Sequence, residues 1–416
     1  MQFHRLSLVI TLALCGYASA AGFQLAETSA TGQGRSYAGA AAIADNASSQ
    51  SRNAALLLDL NGTQLSTGVV YLSPNINSTG TTSIATEMGT TSVNADADGL
   101  IPEAFIPNAF ISHKLNEKWG IGIGLVSNYG LKSELDEAHA AAFLGTSSEI
   151  TTVELTPNMA YAINEQWRLG AGLRLVYTEG VIEGYGPYWL TGLAGTELSH
   201  VSGEDRLAVG YHLGALWQHQ HTRIGLAYHS ELNLTLDGEY RAITLPTTAA
   251  VDARLSVNLP AFLEMAIAHQ WTPALMLSAS VKWTQWSRFN DLIVQTNESD
   301  PILLKKEEFK DNWRYAIGVD YQLNPQWATR AGIALDKAAV NDEHRTLSIP
   351  DSDRLWFSAG LSYHINKQTS IDTSLTYLTS IGDAPVNETN LMLDATYNGD
   401  VDGSVMLYGV QLNYRF

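Results

Sequence analysis

The sequence predicts an all-β chain folded as a transmembrane antiparallel β-barrel. Three observations point there. The chain opens on an export signal, a short hairpin with tryptophan at a fixed place recurs along it, and its closing strand is apolar on one face. No later stretch reaches the roughly 18 consecutive apolar residues of a membrane helix. A closed barrel is the other structure that satisfies every backbone group in lipid.

The opening "MQFHRLSLVITLALCGYASA" sets Arg5 before an apolar run from Leu6 to Leu14 and ends on Ala18-Ser19-Ala20. That is the layout of a secretory signal peptide over 1–20. A lipid anchor on Cys15, the single cysteine, would want a small residue before it, and Leu14 stands there. Charged residues make up 16% of the chain, against roughly 25% in soluble domains. The formal net charge of -18 argues against nucleic acid as a partner.

Residues 21–62, "AGFQLAETSATGQGRSYAGAAAIADNASSQSRNAALLLDLNG", do not alternate. They are rich in Ala, Gly and Ser. Small residues let a backbone pack closely against a wall, so a compact plug inside a barrel lumen is expected. Arg35, Asp45 and Arg52 are its candidates for pairing with lumen charges. The barrel is expected over 63–416.

Four stretches then repeat one pattern: "ISHKLNEKWGIGIGL", "MAYAINEQWRLGAGLRL", "VDYQLNPQWATRAGIAL" and "LSYHINKQTSIDTSLTYL". Each is a strand, a turn opening on Asn116, Asn164, Asn324 or Asn366, and a returning strand. Asn tolerates the left-handed backbone of tight hairpins. Trp119, Trp167 and Trp327 follow three residues later. After the second turn Trp167, Leu169, Ala171, Leu173, Leu175 and Tyr177 share one face, with Arg168, Gly170, Gly172 and Arg174 opposite. Tryptophan recurring at one strand end fits the aromatic girdle of a membrane barrel, whose polar face lines the lumen. Longer, extracellular connections are expected near 131–148, 184–207, 236–255, 290–308 and 336–350. The closing "SVMLYGVQLNYRF" sets Met406, Tyr408, Val410, Leu412, Tyr414 and Phe416 on one face at a two-residue period, a strand whose greasy side faces lipid.

The stretch from Ala21 to Leu56 resembles the N-terminal hatch of the FadL-type outer-membrane transporters of long-chain fatty acids and other hydrophobic compounds. The resemblance continues through "SNYGL" (127–131), "EEFKDNWR" (307–314), "IPDSDRLW" (349–356) and the final "YRF". It implies a fourteen-stranded barrel in the outer membrane of a Gram-negative bacterium, plugged by a hatch that includes Arg35 and Asn53. Hydrophobic substrate would land between extracellular loops, move to a deeper site, and leave through a side gap at a kink in the third strand. That kink falls on Asn128-Tyr129-Gly130, where a glycine suits a bulge. Phe23 matches the hatch aromatic that meets the ligand. Lys305, or its neighbour Lys306, matches the cation for an anionic head. Two departures stand out. Gly184 replaces a second cation, and the hatch turn reads Asn53-Ala54-Ala55 without the usual proline. Aromatic hydrocarbons, which need no cation, are therefore the alternative substrates. The implied partners are the hydrophobic solute, outer-membrane lipid and lipopolysaccharide, and the barrel assembly machinery, with the chain acting as a monomer.

Other chemistry is weakly signalled. His219 and His221 sit two apart beside an expected turn, without a third ligand nearby in sequence. Asp351, Asp353 and Arg354 suggest a structural ion network. "GQGRSY" lacks the third glycine of a dinucleotide loop. No catalytic residue, metal site or cofactor is expected. A general porin is the rival from another class, and a porin needs no N-terminal plug. Deleting Phe416 is expected to impair assembly, read as loss of the heat-modifiable band from outer membranes.

Overall fold

In this computed structural model the described residues are 22–416, apart from 87–88, 246–248 and 391–392. The expected signal peptide lies outside them. Among the described residues fourteen strands form the ring: β1 Thr63–Thr86, β2 Ala104–Lys114, β3 Trp119–Val126, β4 Ser147–Ala162, β5 Trp167–Tyr185, β6 Glu197–His219, β7 Thr222–His229, β8 Phe262–Thr272, β9 Leu275–Thr284, β10 Asn312–Gln322, β11 Trp327–Asp336, β12 Arg354–His364, β13 Thr369–Ser380 and β14 Ala395–Arg415. Each pairs antiparallel with the next. β14 closes on β1 from Gln64↔Arg415 to Ile84↔Ala395. Closure removes the free sheet edges that lipid could not satisfy.

The apolar face points outward as the alternation predicts. Along β5 Trp167, Leu169 and Leu173 are exposed while Gly170 and Arg174 are buried inside. Tyr408, Val410, Leu412 and Phe416 are exposed on β14. At the short-turn end Trp119 packs on Tyr161 and Trp327 on Tyr363, with ring centroids 4.6 and 4.4 Å apart. These are directly opposed pairs in the ladder. The four turn asparagines have another purpose than the expected one, since none is in the left-handed region. Each side chain instead caps its turn. Asn116 Oδ1 accepts from the N–H groups of Lys118 and Trp119 at 2.8 and 3.0 Å. Asn164, Asn324 and Asn366 repeat the arrangement. The left-handed turn residue is Gln220, at φ 50, beside His219 and His221.

Several strands outrun the membrane. β1, β5, β6 and β14 have 24, 19, 23 and 21 residues, whereas roughly 9–11 suffice to cross. Their upper parts carry added strands, which corrects the expected loops. Leu232–Ala242 and Val251–Leu259 form a hairpin on β6 in the region read as a loop at 236–255. Asp291–Thr296 and Ile302–Lys306 extend it where 290–308 was expected to be irregular. The alternation of Leu232, Leu234 and Leu236, and of Leu255, Val257 and Leu259, was the sequence signal for the first hairpin. Between β5 and β6 only residues 186–196 remain as connection. Asp351 and Arg354 pair at 2.7 Å while Asp351 also accepts from Ala339 N–H, a structural network at the base of β12.

Residues 22–60 sit inside the ring. They fold as three short capped pieces: Ala30–Gln33 under Ser29, Ala47–Ser51 under Asn46, and Ala54–Asp59 under Asn53. They touch the wall on all sides, and lumen-facing glycines make room. A Cβ on Gly170 of β5 would fall 2.1 Å from Ala55 N, and one on Gly332 of β11 would fall 2.2 Å from Arg35 C. Charge fixes the seat. Buried Arg35 pairs with Asp45 at 2.5 Å and reaches Asp320 of β10 at 3.3 Å. Asp59 is held between Arg168 and Arg223 of the wall. Asn53 Nδ2 donates to Ala41 O and to Ala215 O of β6, at 2.7 and 3.0 Å. Among the described residues Arg52 forms no ion pair with the wall. It donates to Ala26 O at 2.6 Å and lies over the Tyr37 ring, so it braces the plug internally. Gly170→Leu is expected to leave the barrel folded but unseat the plug. Raised conductance in planar bilayers would report it, and a folded variant as closed as the wild type would refute it.

Candidate functional site

Between the plug and the raised strands lies a cavity lined by residues of both. Its walls are mostly apolar, including Leu131, Ile182, Val201, Leu236 and Leu255. The floor is aromatic. Phe23 packs edge-on against Trp286 and Phe289, with centroids 4.9 and 5.1 Å apart, and Phe309 closes the far side of Phe289 at 4.9 Å. Trp286 is fully buried. It also fixes the backbone of Gly22, since a Cβ there would fall 2.6 Å from the indole. At φ +62 that position suits glycine.

The polar end carries Lys305, Glu307 and Ser348. Lys305 Nζ lies 3.3 Å from Glu388 and donates to Ser348 Oγ. The structure thus brings Phe23 and Lys305 into one cavity. It does not bring Lys306 there. Successive residues of the strand Ile302–Lys306 point to opposite faces, and Lys306 turns outward to Glu308 at 2.8 Å. Gly184 lies against Phe143 O and Ser199, with room for a Cβ at 3.6 Å.

The expected kink is a break in the ladder. β2 and β3 pair from Lys114↔Gly120 only to Ala109↔Leu125. Beyond it the third strand resumes as Gly130–Glu134, which pairs with β4 alone among the described residues. Between Val126↔Glu154 and Gly130↔Thr151, the three residues Ser127, Asn128 and Tyr129 stand opposite Thr152 and Val153. That is one residue too many, the mark of a bulge. The plug takes up the loosened backbone. Leu25 N–H donates to Asn128 O at 2.8 Å, and Gly130 N–H donates to Phe23 O at 3.0 Å. Thr152 Oγ accepts from Tyr129 N–H and donates to Tyr129 O. Asn128 Nδ2 donates at 2.9 Å to Glu154, which Arg174 holds through two further bonds of 2.9 Å. Gly130 is not at positive φ. What its small size permits is the approach of Leu25, 3.3 Å from where a Cβ would stand.

A sequence profile described as outer membrane protein transport protein (OMPP1/FadL/TodX) matches residues 11–416. The chain belongs to this family. It is an outer-membrane transporter of hydrophobic compounds from a Gram-negative bacterium. A long-chain fatty acid transport protein of Salmonella typhi is 31% identical over 444 residues, covering 100% of this chain and 99% of the relative. Outer membrane protein P1 of Haemophilus influenzae is 34% identical, with 97% of each chain covered. Among solved structures, a Pseudomonas aeruginosa FadL homologue superposes with a TM-score of 0.84 at 22% identity, covering 95% of this chain and 100% of that one. The Pseudomonas putida toluene transporter TodX gives 0.69 at 17% identity, with 95% and 100% covered. These two share the fold.

For this FadL-family chain, sequence reading missed Trp286, Phe289, Phe309, Glu307, Ser348 and Glu388. The first two stand in "WTQWSRF", whose crowding of aromatics was the one available signal. Thr152→Val is expected to speed amide exchange at 128–130 and at 23–25 together, because one hydroxyl holds the bulge that both segments share. Faster exchange in one segment only would contradict the coupling.

Proposed function

We propose that this chain carries long-chain fatty acids across the outer membrane by lateral exit through the barrel wall. The observation that carries the reading is the cavity that runs from half-buried Lys305 to Phe23, whose own carbonyl holds the bulged third strand. An acyl chain suits the apolar walls and aromatic floor, and Lys305 suits a carboxylate. The names of the full-length relatives point to the same substrate class.

In this mechanism residues 21–62 act as the hatch. Ligand in the cavity competes for the space of Phe23. Moving Phe23 withdraws the backbone bonds of residues 23–25 from 128–130 and frees a path between β2 and the bulge. An apolar solute then leaves sideways into lipid and avoids the polar network under the hatch. The chain works as a monomer set in outer-membrane lipid and lipopolysaccharide, after insertion by the barrel assembly machinery. Aromatic hydrocarbons are the second reading, favoured by the mostly apolar lining.

Binding titrations with oleate and with toluene test this. A charge-assisted hydrogen bond contributes roughly 1.5–3 kcal/mol, so Lys305→Met should weaken oleate binding by about ten- to a hundredfold and hardly change toluene. Phe23→Ala should weaken both. Toluene bound well with oleate indifferent to Lys305 would favour the hydrocarbon reading. For the route, Gly130→Val should press on Leu25 and alter uptake in a folded barrel. Unchanged uptake would count against lateral exit.

A further inference from the structure

The polar end of the cavity holds a group that the fatty-acid reading does not use. Glu307 is fully buried and lines the cavity, and among the described residues neither of its carboxyl oxygens has a hydrogen-bond partner. The charged groups around it are few. Lys305 is two residues away and already faces Glu388, whose other oxygen accepts from Leu347 N–H at 3.0 Å. Glu149 of β4 also lines the cavity and lies 3.6 Å from Lys132. Glu308 points outward to Lys306. Lys305 and Glu388 cancel, so an ionised Glu307 would leave this end net negative. It would then repel the anion that Lys305 is placed to attract. An unpaired buried carboxylate is itself costly.

We propose that Glu307 makes this end of the cavity a proton-dependent headgroup site, binding an anionic head only when Glu307 is protonated and donates its O–H to that head. Protonated, the carboxyl is a donor lacking a protein acceptor, and an anionic oxygen on the ligand supplies one in a short, charge-assisted bond. Lys305 binds the same head from the other side. A neutral head needs no proton on Glu307. Burial pushes the Glu307 carboxyl up to about 7 and Glu388 adds to the rise, while Lys305 opposes it. The sign follows. Below about pH 7 Glu307 already carries the proton, and anion affinity is flat. Above it each bound anion takes up one proton, and affinity falls about tenfold per pH unit. The inference rests on the ligand site proposed above.

The test uses full-length protein purified in detergent and two probes that do not titrate: hexadecanesulfonate, always anionic, and hexadecanol, always neutral. Sulfonate affinity should fall about fiftyfold from pH 7 to 9, with hexadecanol unaffected. Glu307→Gln cannot ionise and keeps an N–H donor, so its sulfonate affinity should not change with pH. Heat-modifiable mobility verifies that the variant is folded. Sulfonate binding that is flat with pH in the wild type, or still falling in Glu307→Gln, overturns the proton link while leaving the cavity as the ligand site. Failure of both probes to bind the wild type at any pH overturns the site and the proton link together.

Discussion

The structure depends on the two backbone hydrogen bonds between residues 23–25 of the hatch and 128–130 of the wall. A barrel in lipid must pair its backbone all round, because hydrocarbon offers no substitute for a missing ladder bond. The bulge at Ser127–Tyr129 breaks that rule on the β2 side. It is tolerated because Asn128 O and Gly130 N–H meet the hatch, which supplies their partners. One short segment thus completes the wall, seats Phe23 under the cavity and anchors the plug. Cavity, plug and wall meet within three residues.

Charge is spent differently in the two halves of the molecule. Around the plug several buried ions are paired and hydrogen-bonded, as with Arg35, Asp45 and Asp320, or Arg174 and Glu154. Removing one partner from such a pair strands the other and costs roughly 3–5 kcal/mol. These networks hold a plug whose helical pieces are too short to be stable alone. In the cavity the pairing is incomplete, and Glu307 is left over. An unsatisfied buried group is a liability in a core and a binding element in a ligand site.

The hatch also explains the glycines of the wall. Gly170 and Gly332 face the lumen where side chains would ordinarily project. Their absence lets the plug's backbone lie against the strands, and Asn53 and Arg35 tie it there. The small residues of 22–60 are half of this fit, and the wall supplies the other half.

The sequence by itself determined the barrel, the direction of its greasy face and the aromatic turn ends. These follow from a two-residue period and from turn chemistry, which act between near neighbours. It also marked Phe23, Lys305 and the Asn128–Gly130 kink through their resemblance to a family. The tertiary structure alone decided the rest. Lys305 rather than Lys306 enters the cavity because of how the strand Ile302–Lys306 is turned. Ser348 and Glu388, 43 and 83 residues further along, meet Lys305 only when three segments between the ring strands converge. The turn asparagines proved to be side-chain caps, and Gly130 a contact point for Leu25, because spacing gives a residue's place and not its partner. Whether a carboxyl is paired or left over depends on contacts between distant segments, and no local pattern of residues encodes those.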